Sequence, residues 1–304
     1  MTSVSSPSVM LQLSTVASAA SPTQLRGWLR QICPSGVKPA GRIVLQDIAG
    51  TDGALLTSYL DVIEPFLPGA STHPCFGKVY VGTVEPNWTG TGNAYVDGVQ
   101  DATFVSSYLA QSAQVARAFV ARYPQVTTNW YVTYEANLND LYYPSVESAF
   151  QTLLSGEIQA RSAILPGREV MWSPAFWYPY SSYSQNTLGM SGLSTSLTTL
   201  FTALRASGGL TIVDLQDYVS GSSCQPVSNR MTSSDAVSWV KFLRGLTNAP
   251  QVLINTEQYG IDCATGGITN GTPSEVLARE SYYQANGLTL GPAFELRYWI
   301  YNHE

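Results

Sequence analysis

Asn129-Trp-Tyr-Val-Thr-Tyr-Glu135-Ala-Asn137 is a short run of apolar, strand-forming residues that closes on a carboxylate and an amide. Val252-Leu-Ile-Asn-Thr-Glu257-Gln-Tyr-Gly260 repeats the pattern far along the chain. Neither run alternates cleanly between apolar and polar residues, so both read as strands covered on two faces, as in a parallel sheet. The C-terminal end of such a strand is where an α/β barrel collects its chemical groups. The strands on either side decide whether the chain is such a barrel.

Six further runs share that character: Val9 to Leu13, Arg42 to Asp47, Lys78 to Gly82, Glu169 to Ser173, Leu210 to Gln216 and Ala293 to Ile300. Segments of helical period separate them, at Thr23 to Ile32, Asp52 to Phe66, Asp101 to Tyr123, Pro144 to Ile164, Thr195 to Ala206, Ser233 to Leu246 and Pro273 to Ala285. Strand and helix thus alternate eight times, lacking only a helix after the last strand, which is the count of a (β/α)8 barrel. A doubly wound open sheet also alternates, but it usually carries a glycine-rich nucleotide turn after its first strand. Here that segment reads Ser14-Thr-Val-Ala-Ser-Ala-Ala-Ser-Pro22, without glycine, and no Walker-type loop occurs elsewhere. The expected fold class is therefore α/β, a single (β/α)8 TIM barrel over residues 1–304. No linker, charge run or repeat divides it.

Composition narrows the partner. Charged residues make up 12% of the 304 residues, where about 25% is usual. The polar work falls instead on Ser, Thr, Asn and Gln, together with 18 Tyr and 7 Trp. That balance suits an extracytoplasmic protein that handles neutral polymers; a monomer is the expected state. A net charge of −6 with few lysines argues against nucleic acid as a partner. No run approaches the roughly 20 apolar residues of a membrane-spanning helix. Met1 to Pro7 lacks the basic and apolar regions of a signal peptide, so either a leader was replaced by the initiating Met or the expected export takes another route.

Four cysteines allow three pairings. Cys33 and Cys75 both precede strands, on the bottom of neighbouring units, whereas Cys224 and Cys263 follow neighbouring strands on the top. Cys33–Cys75 with Cys224–Cys263 is the one pairing that does not cross the barrel; four free buried thiols are the alternative. Asn87-Trp-Thr and Asn270-Gly-Thr match the N-glycosylation pattern, which is common by chance.

In a barrel the residues after each strand converge on one face. The ends of the first three strands offer Gln12, Gln46-Asp47 and Glu85, with Trp88 in the third loop. The fourth adds Glu135, Asn137 and Asn139. The fifth adds Ser173 and the aromatic loop of Phe176, Trp177, Tyr178, Tyr180 and Tyr183. Gln216-Asp217-Tyr218, then Glu257 and Tyr259, then Arg297, Tyr298 and Trp299 complete the ring. Sugars need this mixture: rings stack on C–H faces, amides hold hydroxyls, and carboxylates do acid, base or nucleophilic work. Any one ring could equally be core packing, and Glu135 could be a surface carboxylate or an ion-pair partner. Against the latter, side chains 131, 133 and 135 share one face of a strand that has no water-facing side. Glu135, Glu257 and Asp217 are the candidate catalytic groups. Gln12, Gln46, Glu85, Trp88, Asn137, Ser173, Trp177, Tyr178, Gln216, Tyr259, Arg297 and Trp299 are the candidate substrate ligands.

Glu135 after the fourth strand and Glu257 after the seventh resemble the acid/base and nucleophile positions of clan A glycoside hydrolases. Leu11-Gln12, Val44-Leu-Gln46, Lys78-Val-Tyr-Val-Gly82, Tyr134-Glu135, Ser173-Pro174, Gln216-Asp217 and Asn255-Thr-Glu257 more closely resemble a family of glycosidase-like barrels known only as a domain of unknown function. The chain departs from clan A at Tyr134, where those enzymes usually carry Asn. The resemblance implies a TIM barrel that cleaves glycosidic bonds with paired carboxylates and no cofactor.

Other chemistries lack their residues. The two histidines are His73 and His303, no Gly-x-Ser-x-Gly elbow is present, and no His/Cys cluster suits zinc. Asp47, Glu135, Asp217 and Glu257 could at most form a carboxylate-only divalent site, so no metal is expected. The resulting expectation is a secreted glycoside hydrolase acting on a cell-wall or exopolysaccharide glycan. Glu135 would be the general acid and Glu257 the nucleophile of a retaining enzyme, or a water-activating base if the carboxyls stand roughly 6.5–9.5 Å apart. Asp217 and Gln216 would hold a sugar hydroxyl or orient Glu257. A carbohydrate-binding barrel without chemistry is the rival.

Overall fold

The strands are β1 (Val9–Gln12), β2 (Arg42–Asp47), β3 (Lys78–Thr83), β4 (Thr128–Val132), β5 (Val170–Trp172), β6 (Ile212–Gln216), β7 (Gln251–Asn255), β8 (Tyr259–Ile261), β9 (Ile268–Asn270) and β10 (Ala293–Phe294). Eight of them pair in parallel in the order β10-β1-β2-β3-β4-β5-β6-β7, while β8 and β9 form a separate antiparallel hairpin. Parallel bridges Ile254↔Leu290 and Glu257↔Phe294 bring the two edges together, so the sheet closes on itself. The computed structural model describes residues 5–71, 74–184 and 187–303; His73 and the first four residues lie outside them.

The helices are α1 (Leu13–Ala19), α2 (Pro22–Ile32), α3 (Thr57–Ile63), α4 (Ala102–Arg122), α5 (Pro144–Ile164), α6 (Tyr180–Tyr183), α7 (Thr187–Ala206), α8 (Ser233–Arg244), α9 (Pro273–Ala285) and α10 (Leu296–His303). Their starts are written locally. Ser21 with Gln24 and Thr232 with Asp235 form capping boxes at α2 and α8, each satisfying otherwise orphaned N–H groups. The Asp101 carboxylate caps α4 by accepting from Thr103 N and Phe104 N. Proline stands at the first position of α2, α5 and α9, where its missing N–H costs nothing.

The last strand corrects an expectation. Ala293 to Ile300 contains only two strand residues and then turns into α10. Trp299 N donates to Glu295 O, and Trp299 stacks on His303 at 4.2 Å. These are helical spacings, although the buried residues Leu296, Tyr298, Ile300 and Asn302 alternate, and a short aromatic-rich run does not distinguish strand from buried helix by composition.

Period-two alternation fills the barrel. Met10, Val44, Tyr80, Tyr131, Met171, Ile212 and Leu253 form one buried cluster with Phe294 packed against it, one residue from each of the eight strands. This apolar layer is the floor. Two residues further along each strand the same face carries Gln12, Gln46, Gly82, Thr133, Ser173, Asp214 and Asn255, so the barrel turns polar above it. Gly82 is required there, because a Cβ would sit 1.8 Å from Gln46 O. The alternate, outward faces pack against the helices in a second core that includes Trp130, Trp172 and Trp239.

Cys33 is bonded to Cys75, and Cys224 to Cys263. The first bond joins the end of α2 to the segment before β3. The second joins the loop after β6 to the β8–β9 hairpin. Among the described residues no helix is long and apolar enough to cross a membrane.

Candidate active site

Continuing the inward alternation past the strand ends brings Glu135, Gln216 and Glu257 above the polar layer. They line a cavity of about 210 Å³ together with Met10, Gln12, Gln46, Glu85, Tyr95, Asn255, Tyr259 and Phe294. The apolar layer closes its base, and Glu85 stands at its exposed rim.

Glu135 is held by neutral donors. Its Oε1 accepts from Gln46 Nε2 at 2.8 Å and from Tyr131 OH at 2.9 Å. Its Oε2 accepts from Gln216 Nε2 at 2.7 Å, and that amide also reaches Ser173 O at 2.8 Å. Burial raises the carboxyl pKa to about 7, with the Glu85 charge adding to it and the Gln216 and Tyr131 hydrogen bonds opposing it.

Glu257 is held differently. Its Oε2 accepts from Gly221 N at 2.8 Å and its Oε1 from Tyr259 OH at 2.7 Å. Burial, then the neighbouring Asp217 charge, raise its pKa to about 7 as well. The chain reaches Gly221 through Tyr218, whose φ of 51° lies in the left-handed region that bulky residues avoid. A Cβ at Gly221 would meet the Tyr218 ring at 2.6 Å, so the backbone approach to Glu257 needs glycine.

Asp217 stands outside the cavity. It follows Gln216, and adjacent strand residues point to opposite faces. Its carboxylate lies between the barrel and α9, fully buried, and accepts from Arg279 Nη1 at 3.1 Å and Tyr283 OH at 2.8 Å. Its other oxygen accepts from Glu257 N at 3.3 Å. Arg279 also donates to Ser220 Oγ and to Glu257 O. The pair therefore braces the backbone that carries Glu257, and neither residue lines the carboxylate cavity.

The remaining candidates divide. Gln12, Gln46, Glu85, Gln216 and Tyr259 line the cavity. Asn137 is buried under the rim, where its Oδ1 accepts from Asn139 N and Trp177 N, both at 3.2 Å. Ser173 Oγ donates to Asp214 O at 2.7 Å. Trp177 stacks on Tyr218 at 5.7 Å, and Tyr178 is 49% exposed on the same rim. Trp88 turns into the loop core, edge-on to Phe104 at 5.3 Å. Arg297 and Trp299 ride on α10: Arg297 lies over the Tyr298 ring at 4.4 Å, and Trp299 lines a crevice with Pro34 and His303. Neither reaches the cavity.

Asp47 accepts from Ser14 N at the start of α1, and burial raises its pKa to about 6. Among the described residues no group of three or more His, Cys, Asp or Glu side chains is arranged to hold a metal ion.

Tyr131, Tyr95, Gly221, Arg279 and Tyr283 are parts of the site that motif reading passes over. Tyr131 was within reach through its shared strand face with Glu135. The other four come from loops or from α9, and nothing local marks them. Tyr134, standing where clan A carries Asn, faces outward: its ring packs on Tyr95, Tyr108 and Phe150, and its hydroxyl donates to Ala94 O.

No protein-family model matches the chain, and no curated protein matches it in sequence. Solved structures match its fold. A Bacteroides thetaiotaomicron protein described as a candidate alpha-L-fucosidase is 10% identical with a TM-score of 0.62, over 96% of this chain and 86% of that one. The intracellular xylanase TsXylA of Thermoanaerobacterium saccharolyticum is 11% identical at 0.51, over 96% and 86%. A GH18 chitinase from Pseudoalteromonas aurantia is 11% identical at 0.50, over 96% and 92%. At such identities the likeness is one of fold.

Proposed function

We propose that this barrel is a glycoside hydrolase acting on a neutral or weakly charged polysaccharide, with Glu135 as general acid and Glu257 as the second carboxylate. One observation carries the reading: two glutamates, from the ends of β4 and β7, line a single cavity and both have pKa values near 7. Glycosidic cleavage needs one carboxyl that holds its proton and one that has lost it. With both groups titrating near neutrality, that mixed state is well populated at physiological pH. The fold neighbours, whose descriptions name a fucosidase, a xylanase and a chitinase, agree with this reading without choosing a substrate.

The chain's other groups have roles in the same scheme. Gln46 lines the cavity, and its Oε1 is buried without a protein partner. Gln12 and Asn255 add further amides, and Tyr95 adds a ring against which a C–H face can lie. Glu135 protonates the departing glycosidic oxygen. Glu257 attacks the anomeric carbon or removes a proton from the water that does. Asp217 and Arg279 hold Glu257 in place through its backbone. Two disulfides suit an oxidising compartment, so the protein is secreted or displayed on the cell surface.

The test is digestion of a glycan panel by the wild type, Glu135→Gln and Glu257→Gln, with binding measured in parallel. Each variant should lose turnover by about 10²–10⁴-fold while still binding. The anomer first released assigns Glu257 as nucleophile or base. Wild-type protein that binds but turns over nothing, with both variants binding equally well, would establish a carbohydrate-binding barrel instead.

A further inference from the structure

A second groove adjoins the proposed site. It measures about 690 Å³ and shares Tyr259 with the smaller cavity. Its walls are the loop after β6, with Ser220 and Ser223, the β8–β9 hairpin, with Thr269 and Asn270, and the flank of α9 at Ala278. The Cys224–Cys263 bond ties the first wall to the second. Glu275 and Arg279 are the charged residues in the lining, and Arg279 is already paired with Asp217.

Size and chemistry together suggest the occupant. The carboxylate cavity, at about 210 Å³, falls below the ~300–1,000 Å³ of ordinary ligand sites. It has room for little more than one sugar ring. A polymer cleaved there must continue somewhere, and the groove begins at the tyrosine that donates to Glu257. Its lining mixes hydroxyls and the Asn270 amide with the apolar Val219, Met231, Ile261 and Val276 and holds no free cation, which suits the hydroxyls and C–H faces of an uncharged sugar and not phosphate or uronate.

The geometry points to this groove as an extended binding site for further units of a linear neutral glycan whose scissile bond lies at Glu135 and Glu257. The inference rests on the glycosidase reading and adds that the enzyme acts on chains, not on terminal sugars alone.

Linear neutral oligosaccharides of two to six units, from xylan, mannan, chitin and glucan, test it. For the series that is cleaved, kcat/KM should rise with length by at least about tenfold, the worth of a ~1.4 kcal/mol contact. Thr269→Trp and Ala278→Trp, both at exposed positions, fill the groove and should flatten that rise. A flat length profile in the wild type, or a rise that both variants retain, overturns the groove. Backbone amide shifts separate this from failure of the glycosidase reading. Hexamers that shift Gly260, Thr269 and Asn270 as well as the cavity side-chain amides support the groove even without turnover. Shifts confined to the cavity overturn the groove alone, and no shifts with any sugar overturn both.

Discussion

Glu135 and Glu257 look into one cavity from strands three places apart, and their surroundings have almost nothing in common. Glu135 sits among neutral donors from inside the barrel: Gln46, Tyr131 and Gln216. Glu257 takes one backbone N–H and one phenol, and is backed by a buried Asp217–Arg279 ion pair that donates into its own peptide carbonyl. Both carboxyls nevertheless reach a pKa of about 7, because burial is the largest cause for each. Desolvation sets the pKa range of these two groups, and the partners decide how rigidly each is held. The Glu135 side is a cradle of amides that can re-form around a ligand. The Glu257 side is a braced wall.

The largest test of that contrast is Arg279→Met. It leaves Asp217 buried without its counter-charge, which typically costs about 3–5 kcal/mol. Gln216→Leu removes one donor from Glu135, whose carboxylate keeps an open side, and should cost only about 1 kcal/mol. Urea unfolding of both variants at pH 7 measures the gap; equal losses would mean that the wall is no more braced than the cradle.

Next comes a pH effect of defined sign. Both glutamates titrate higher in the folded protein than their ordinary 4.5, so the native state holds protons that the unfolded chain has released. Their stabilising contribution is complete below the unfolded pKa and is lost as pH rises through about 7. Glu257→Gln removes that loss. Its carbonyl can still accept from Gly221 and its amide can donate to the Tyr259 oxygen. At pH 8 the variant should exceed wild-type stability by up to ~3 kcal/mol, with no difference at pH 4. Paired denaturation curves at the two pH values check it, and a gain of the same size at pH 4 would assign the effect to packing.

Smaller effects separate the two carboxyls by titration. Gln216→Leu should raise the Glu135 pKa by about one unit and leave Glu257 unmoved, as read by carboxyl carbon shifts. Cys224 and Cys263 are exposed, whereas Cys75 is buried, so a mild reductant should open Cys224–Cys263 first. Alkylation and mass measurement report the order of opening. With Gly221 and Tyr259 loosened, the Glu257 pKa should rise by less than about half a unit, and Glu135 should not respond.

The contrast also shows what could be read in advance. Glu135's cradle is nearly all strand residues: Gln46, Tyr131 and Gln216 lie on inward faces that period-two alternation marks. The same alternation, carried from Ile212 through Asp214 to Gln216, sends Asp217 outward, so grouping it with the mouth overlooked its parity. Glu257's wall was less legible, because Gly221, Arg279 and Tyr283 come from a loop and from a helix far along the chain. Arg297 and Trp299 are a different case: the run after Ala293 is strand-like in composition, and even its buried residues, Leu296, Tyr298, Ile300 and Asn302, alternate as a strand's would, so nothing local marks the helix.

Contiguous residues encode their own alternation, caps and breaks. The sequence alone therefore determined the eight strands, seven of the helices that follow them, the inward faces and the two glutamates at strand ends. Closing the barrel decided the rest. It brought those glutamates into one cavity, took Asp217 out of it, and moved both carboxyl pKa values to about 7. Burial and partnership belong to groups far apart in the chain, and desolvation has no magnitude until those groups are packed together.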